Sequence, residues 1–301
     1  MTMVKAGLAG LAGLAVGGVA WWLGPEVGVP VALGALTTGG ALAVDHARVK
    51  SRRAIGRQRD ALAKLQATAD RLAEQTARRQ DVWNSEKRVR ESADRTFAQT
   101  EAMINLHQLV RVQSGMPATR GWAASPDFLL LLVSLVEQYR PRTIVDLGSG
   151  STTLWMASAM RTYGVEGRIV AIDNEEKYAQ LTRDALVAHG LEKFAEVRHA
   201  AISDTEFSGE TWPWYDREML ADVENVDLLV VDGPPGVLRK HARYPALPAL
   251  ADRLAPQARI VVDDYGRPDE KELVARWREE FPGWRLRELA HEKGCAVLSR
   301  G

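Results

Sequence analysis

TIVDLGSGSTT, at residues 143–153, joins an apolar run to an acid, a pair of glycines and a polar segment. This order predicts a buried parallel strand, a tight turn and the first turn of a helix. Gly148 and Gly150 allow the backbone to approach a ligand closely, and the first turn of a helix offers N–H groups without intrahelical partners. Because a single Gly-x-Gly also occurs in ordinary strand-to-helix turns, the neighbouring sequence decides whether this one binds a ligand.

A second strand-like run, RIVAI at residues 168–172, ends in Asp173. Asp173 follows Gly150 by about 23 residues, close to the spacing of an acid that accepts hydrogen bonds from ribose hydroxyls. A dinucleotide fingerprint would have a third glycine or an alanine at position 153, which is Thr153 here. The two runs therefore predict a nucleoside-containing ligand and weaken the prediction of a dinucleotide.

The motifs VDLGSG and AID, at residues 145–150 and 171–173, resemble motif I and the ribose acid of class I S-adenosylmethionine-dependent methyltransferases. The resemblance extends from about residue 113 onward and implies S-adenosylmethionine as the cofactor. It also implies that the glycine turn holds the methionine part, that the acid holds the ribose, and that the segment after the third strand contacts the adenine. The implied donor-binding residues are Asp146, Gly148, Ser149, Gly150, Asp173, Asn174 and Ile202.

The rest of this region predicts an α/β fold, a Rossmann-like doubly wound sheet of seven strands. Further strands are expected at residues 195–199, 226–231 and 258–262, with a Trp-rich insertion of unassigned structure after the first of these. The last two, at 285–289 and 295–298, are too close in sequence for a crossover helix. They should therefore form an antiparallel C-terminal hairpin.

Acidic residues follow two of these strands, Asp232 after the fourth and the pair Asp263 and Asp264 after the fifth. Ligands of an open α/β sheet bind beyond the carboxyl ends of its strands. If the two strands are neighbours, the carboxylates start about 5 Å apart, and at least one pKa would rise unless a cation neutralises them. Mg²⁺ bound by oxygen ligands is one such cation. The alternative is a turn capped by Asp263 beside a solvated Asp264.

The same acids resemble the metal site of catechol- and macrocin-type O-methyltransferases, which implies that Asp232, Asp263 and Asp264 are the metal ligands. The resemblance fails at Pro235, where catechol-type enzymes have a lysine base. His241 follows a few residues later, and its unperturbed pKa near neutrality suits a general base. The candidate catalytic residues are therefore Asp232 and His241, although a lone histidine in a basic loop is more often solvated.

Other side chains near the predicted site allow two interpretations each. Arg239, Arg243 and Arg267 either bind an anionic acceptor or are solvated loop charges. Trp122, at the predicted domain entrance, either stacks on a ligand or is packed in the domain. A helix at 269–280 is expected to carry a solvated acidic face formed by Asp269, Glu270, Glu272 and Glu279.

The overall composition excludes several classes of protein. The chain has 301 residues with 39 basic and 39 acidic side chains, so its net charge gives no reason to expect a nucleic-acid partner. Its single cysteine, Cys295, excludes an internal disulfide framework. Because Cys295 lies in a strand-like run, it is expected to be a buried, inert thiol.

The N-terminal residues differ sharply in composition from the rest. Between residues 6 and 44 the only charged residue is Glu26, and two apolar runs at 6–23 and 27–44 flank it. Each run is near the minimum length for spanning a bilayer, so residues 1–45 are predicted to form a transmembrane helical hairpin. A secretory signal is the alternative. Basic residues on both sides, among them Lys5 and Arg48, place both ends in the cytoplasm.

Residues 46–114 are predicted to form a helical stalk, because no Gly or Pro occurs from Arg57 to Ser114. Ile55, Leu62 and Trp83 recur at one heptad position, which would allow a coiled-coil homodimer, but Arg90 interrupts the row. An amphipathic helix packed on the catalytic domain or on anionic lipid is the alternative. Residues 115–301 would then be the methyltransferase domain.

Three functions compete on this sequence. The first is a methyltransferase anchored in the inner or plasma membrane, with its catalytic domain in the cytoplasm, that methylates an oxygen of a small-molecule, sugar or lipid-linked acceptor. The second is a catalytically inactive, methyltransferase-like scaffold, although its donor motifs are intact. The third is a Rossmann-type oxidoreductase with a nucleotide cofactor, which Thr153 and the C-terminal hairpin disfavour.

Overall fold

The computed structural model describes the backbone of residues 25–300 and the side chains of residue 46 and residues 48–300. Contacts divide the chain into two units, Met1–Arg88 and Val89–Gly301. A single long helix, α1 (Pro25–Leu109), accounts for the described part of the first unit and continues into the second. The predicted stalk is therefore helical, and α1 passes from residue 44 to residue 46 without a break.

The predicted membrane hairpin falls largely outside this description. The run at 6–23 lies outside the described residues, and the run at 27–44 belongs to α1 without described side chains. In the part of the chain that the structure describes, no helix combines the length and the apolar character needed to cross a membrane.

The second unit is built around a seven-stranded mixed sheet, as predicted. Within residues 25–300 the strands are β1 (Thr143–Leu147), β2 (Arg168–Asp173), β3 (Ala195–His199), β4 (Ile202–Phe207), β5 (Glu210–Tyr215), β6 (Val226–Val231), β7 (Leu254–Asp263), β8 (Trp284–Leu289) and β9 (Cys295–Arg300). The sheet order is β3-β2-β1-β6-β7-β9-β8. The first five strands in this order, β3 to β7, are parallel to their neighbours. β9 is antiparallel to both β7 and β8, which confirms the predicted C-terminal hairpin.

Helices cover the sheet. They are α2 (Pro126–Tyr139), α3 (Ser151–Tyr163), α4 (Glu176–His189), α5 (Ala246–Leu250) and α6 (Pro268–Glu280). Alternate strand residues face opposite sides: Ile144 packs in one core with Phe128 and Trp155, and Val145 packs in the other with Trp214 and Trp277. α5 ends at Leu250, and a short 3₁₀ helix (Ala251–Arg253) connects it to β7.

The Trp-rich insertion is a separate antiparallel hairpin of β4 and β5, which the sequence analysis did not predict. Its turn contains Ser208 and Gly209, both with positive φ (53° and 77°), as in tight hairpin turns. Trp212, Trp214 and Tyr215 on β5 are buried. The hairpin therefore forms part of the core on one face of the sheet.

The carboxylate of Asp127 connects three segments of the second unit through hydrogen bonds. Its Oδ2 accepts hydrogen bonds from Gln99 Nε2 at 2.8 Å and from the backbone N–H of Glu292 at 2.7 Å, and its Oδ1 accepts one from Ser125 Oγ at 2.5 Å. Burial alone would raise the pKa of Asp127, but these bonds lower it below its usual value. On the adjacent loop Trp122 is 91% exposed, so the prediction that it is packed was wrong.

Candidate active site

The carboxyl ends of the parallel strands meet at one edge of the sheet, where backbone hydrogen bonds connect them. The N–H of Gly148 donates to Ile172 O at 3.0 Å, and the N–H of Asp232 donates to Leu147 O at 3.0 Å. These bonds place the turn after β1 beside the last residues of β2 and β6. The predicted donor-binding motif and the predicted acidic cluster therefore share one edge.

The glycine turn has a geometry that would let its backbone approach a ligand closely. Gly148 and Gly150 have φ values of 118° and 139°, which side chains rarely tolerate. A Cβ at Gly148 would also lie only 3.4 Å from the backbone N of Gly233. Both glycines are thus favoured by the positive φ of the turn, and Gly148 lies in van der Waals contact with the segment after β6.

Asp173 is held at the end of β2 beside this turn. Its Oδ2 accepts a hydrogen bond from Ser149 Oγ at 2.7 Å, and its Oδ1 accepts one from the N–H of Glu175 at 3.0 Å. The predicted pair Ser149 and Asp173 is therefore brought into contact. Asn174 follows Asp173 directly, and Ile202 begins β4 opposite Tyr215.

Asp146 is fully buried under the glycine turn. Its Oδ2 accepts hydrogen bonds from the hydroxyls of Thr152 at 2.8 Å and Thr153 at 2.7 Å, whereas its Oδ1 has no partner among the described residues. Burial raises the pKa of this carboxyl to about 7, against the effect of the two hydroxyls. Thr153 occupies the position where a dinucleotide motif would have glycine or alanine. Its hydroxyl instead holds the side chain of Asp146 in place.

The predicted acidic cluster also forms. Oxygen atoms of Asp232, Asp263 and Asp264 all lie within 4.8 Å of one another. Both carboxylate oxygens of Asp263 are buried without a hydrogen-bond partner in the described part of the chain. Burial and the neighbouring acids raise the pKa of Asp263 to about 8, and burial raises that of Asp232.

Arg243 lies inside this cluster and is almost fully buried. Its Nη2 is 2.9 Å from Asp264 Oδ2 and 3.4 Å from Asp232 Oδ1, and its Nη1 is 3.7 Å from Glu270 Oε1. Both predictions for Arg243, an anion-binding rim residue and a solvated charge, were wrong. So was the prediction that Glu270 belongs to a solvated face, because it is only 3% exposed. Because an arginine buried among acids forms no surface charge pattern, this role could not be predicted from the basic residues near it in the chain.

Of the remaining basic candidates, Arg267 contacts the cluster, with its Nη1 3.0 Å from Asp264 Oδ2, whereas His241 and Arg239 are engaged elsewhere. His241 Nε2 lies 2.9 Å from Glu272 Oε2, which also contacts Lys240 Nζ at 2.6 Å. Arg239 stacks on Trp212, 3.8 Å from the ring centroid. His241 is therefore part of a surface ion-pair group and is not among the clustered acids.

Comparisons with known proteins agree with this architecture. Residues 145–265 match the family model described as "Methyltransferase domain". An SAH-bound methyltransferase from Podospora anserina has 17% identity and a TM-score of 0.50, covering 70% of this chain and 96% of its own. An O-methyltransferase from Bacillus cereus, in complex with SAH, has 17% identity and a TM-score of 0.44, covering 67% and 90%. None of the curated proteins compared matches the chain significantly.

The matched residues begin in β1 and end just after β7. They therefore contain the glycine turn, Asp173 and the acidic cluster. This match identifies residues 145–265, within the seven-stranded fold, as a methyltransferase domain.

Proposed function

We propose that the protein transfers the methyl group of S-adenosylmethionine to an oxygen atom of a small-molecule, sugar or lipid-linked acceptor. One observation carries this proposal: the donor turn and the buried cluster of Asp232, Asp263 and Asp264 occupy the same edge of the sheet. An acceptor hydroxyl placed beside the cluster would lie next to the donor. Such a site needs to align two reactants and exclude water.

The transfer is an in-line displacement. The acceptor oxygen forms the new bond to the methyl carbon while the carbon–sulfur bond breaks, its electron pair stays on sulfur, and the acceptor proton passes to a base. Ser149, Asp173 and the glycine turn would hold the donor for this step. The base is proposed to be Asp232 or His241, the latter paired with Glu272.

The cluster also fits a divalent metal ion. Asp263 offers two buried oxygens without hydrogen-bond partners in the described part of the chain, although Lys293 Nζ lies 4.0 Å from its Oδ2. Hard cations such as Mg²⁺ take carboxylate oxygens. Asp232, Asp263 and Asp264 would hold the ion, with Arg243 remaining on Asp264. A bound ion would lower the pKa of an acceptor hydroxyl.

Donor binding is tested by replacing Asp173 with alanine. The variant should lose one or two hydrogen bonds to the ribose, about 1.5–3 kcal/mol, which corresponds to roughly 10–150-fold weaker binding. Titration calorimetry with S-adenosylmethionine measures this, and Asp184→Ala, an exposed acid on the following helix, is the matched control. Unchanged affinity in a folded Asp173→Ala protein would disprove the assignment of this acid.

Two further measurements separate the alternatives. An oxidoreductase would bind NAD in the same calorimeter, whereas a methyltransferase should not. An inactive scaffold would bind S-adenosylmethionine without transferring labelled methyl groups to any component of cell-envelope extracts.

We also propose, from the sequence alone, that residues 6–44 anchor the protein in the inner or plasma membrane with the catalytic unit in the cytoplasm. The support is the single charge in this segment and its basic flanks. Deleting residues 1–44 should release the protein from the membrane fraction and leave donor binding unchanged. A reporter fused after Gly301 that is active only outside the cytoplasm would contradict this topology.

The stalk supports one further proposal, a homodimer through α1. Ile55, Leu62, Leu65, Leu72 and Trp83 are each at least half exposed on this helix, and a partner helix at heptad spacing would bury them. Light scattering on the protein lacking residues 1–44 gives the mass, and a monomer at all concentrations would contradict the dimer.

A further inference from the structure

Lys293 lies in the turn between β8 and β9, at the edge of the sheet that carries the acidic cluster. Its Nζ is 4.0 Å from Asp263 Oδ2 and donates a hydrogen bond to Ala123 O at 3.0 Å. In the described part of the chain no other cation forms an ion pair with the carboxylate of Asp263, and neither of its oxygens accepts a hydrogen bond. Lys293 therefore opposes the charge of Asp263 without occupying either oxygen.

The backbone of this turn is fixed against the segment that follows β7. The N–H of Gly266 donates to Lys293 O at 2.8 Å, and the N–H of Tyr265 donates to Gly294 O at 3.2 Å. A Cβ added to Gly266 would lie only 2.7 Å from Lys293 O, and one added to Gly294 would collide with the backbone of Gly266. Because the two segments pack so closely, the position of the ammonium group depends on the rotamer of the Lys293 side chain.

Lys293 is held less firmly than Arg243, the buried cation of the cluster. The side chain of Arg243 is 5% exposed and contacts both Asp232 and Asp264, so its movement would leave two acids without a counter-charge. The side chain of Lys293 is 20% exposed and meets one carboxylate, at a distance too long for a hydrogen bond. Its charge still acts on the cluster, because burial raises the pKa of Asp263 to about 8 and Lys293 opposes this rise. Lys293 is thus the cation that another cation can replace.

We propose that Lys293 is an exchangeable counter-cation of Asp263, which competes with the divalent ion proposed for the cluster. The inference rests on the proposed function, because it takes Asp232, Asp263 and Asp264 as ligands of that ion. An ion bound to Asp263 would lie close to the ammonium group, and like charges at such distances repel each other. The ammonium group would then turn away from the cluster and keep its hydrogen bond to Ala123 O. Lys293 is therefore a positioning residue that sets how tightly the ion is held.

Titration of the full-length protein with Mn²⁺ alone, followed by electron paramagnetic resonance, tests the proposal, since Mn²⁺ accepts the same oxygen ligands as Mg²⁺. We expect Lys293→Met to bind Mn²⁺ about tenfold to a hundredfold more tightly than the native protein. More chelator should be needed to remove the ion from this variant. Lys293→Arg keeps the charge and should stay close to the native affinity. Binding of S-adenosylmethionine should be the same in all three proteins.

Lys293→Gln removes the charge but keeps a hydrogen-bond donor for Ala123 O, so it should show the same gain if methionine disturbs the turn. Lys193→Met is the matched control, because Lys193 is exposed and precedes β3, at the amino ends of the parallel strands. It removes the same charge and should leave Mn²⁺ affinity unchanged. Without metal, Lys293→Met should melt at a lower temperature than the native protein, and added Mn²⁺ should raise its melting temperature more.

Each outcome decides the question. Native Mn²⁺ affinity in both Lys293→Met and Lys293→Gln would overturn the inference and leave the metal site standing. Weaker binding in these folded variants would also overturn it, because Lys293 would then support the ion instead of competing with it. A gain of equal size in Lys293→Arg would exclude charge as the cause. Failure of the native protein and all variants to bind Mn²⁺ would instead overturn the metal site of the proposed function.

Discussion

Replacing Arg243 with methionine should lower the free energy of unfolding by about 3–5 kcal/mol, the cost of leaving a buried ion pair without one partner. The guanidinium is the buried counter-charge of Asp232, Asp264 and Glu270. Methionine keeps most of the volume of the side chain and none of its charge. Urea unfolding followed by circular dichroism measures the change.

Arg267→Met is the matched control for this experiment. Arg267 contacts two of the same acids, Asp264 at 3.0 Å and Glu270 at 3.9 Å, but its side chain is 54% exposed. Exposed ion pairs contribute about 0–1 kcal/mol, so its loss should be small. Equal losses in the two variants would show that burial of Arg243 contributes nothing to its role.

If Asp232, Asp263 and Asp264 hold a divalent ion, as proposed, its removal should stop methyl transfer and leave donor binding largely intact, because the glycine turn and Asp173 are proposed to hold the donor. A bound ion supplies several kcal/mol of charge stabilisation, so the rate should fall by more than about 10²-fold. Asp263→Asn should have the same effect as excess chelator. Transfer of labelled methyl groups and calorimetry with S-adenosylmethionine measure the two quantities.

Asp252→Asn changes an exposed acid just before β7, at the opposite end of that strand from Asp263. It is the control and should leave the rate unchanged. Full activity in excess chelator would contradict a metal requirement. The base would then be His241 or one of the clustered acids. The pH at which the rate of methyl transfer rises reports the pKa of the base and would distinguish them.

Features with a local sequence signal were predicted correctly. The strand at 226–231 was predicted to the residue, because a buried parallel strand is a continuous apolar run between breakers. The antiparallel hairpin of β8 and β9 followed from the short connection between them. The positions of Asp146, Asp173 and Asp232 at strand ends followed in the same way, since a strand that ends in an acid places it at the edge.

The features that were not predicted depend on contacts between segments that are distant in the sequence. Arg243 lies in a basic loop, and its burial depends on acids supplied by β6, β7 and α6. β4 carries polar residues at alternate positions and was not recognised as a strand, although Ser208 and Gly209 marked its turn. The burial of Tyr215 could not be predicted because the hairpin itself was not.

The strand order also determines how a growing chain completes its sheet. Within residues 25–300, β8 is hydrogen-bonded to the sheet only through β9, which follows it in the sequence. A ribosome therefore releases β8 before its partner exists, and β7 keeps an open edge until β9 pairs with both strands. Open edges of this kind pair readily with other chains. Translation that stops between β8 and β9 would thus give an aggregation-prone product instead of a shorter working enzyme.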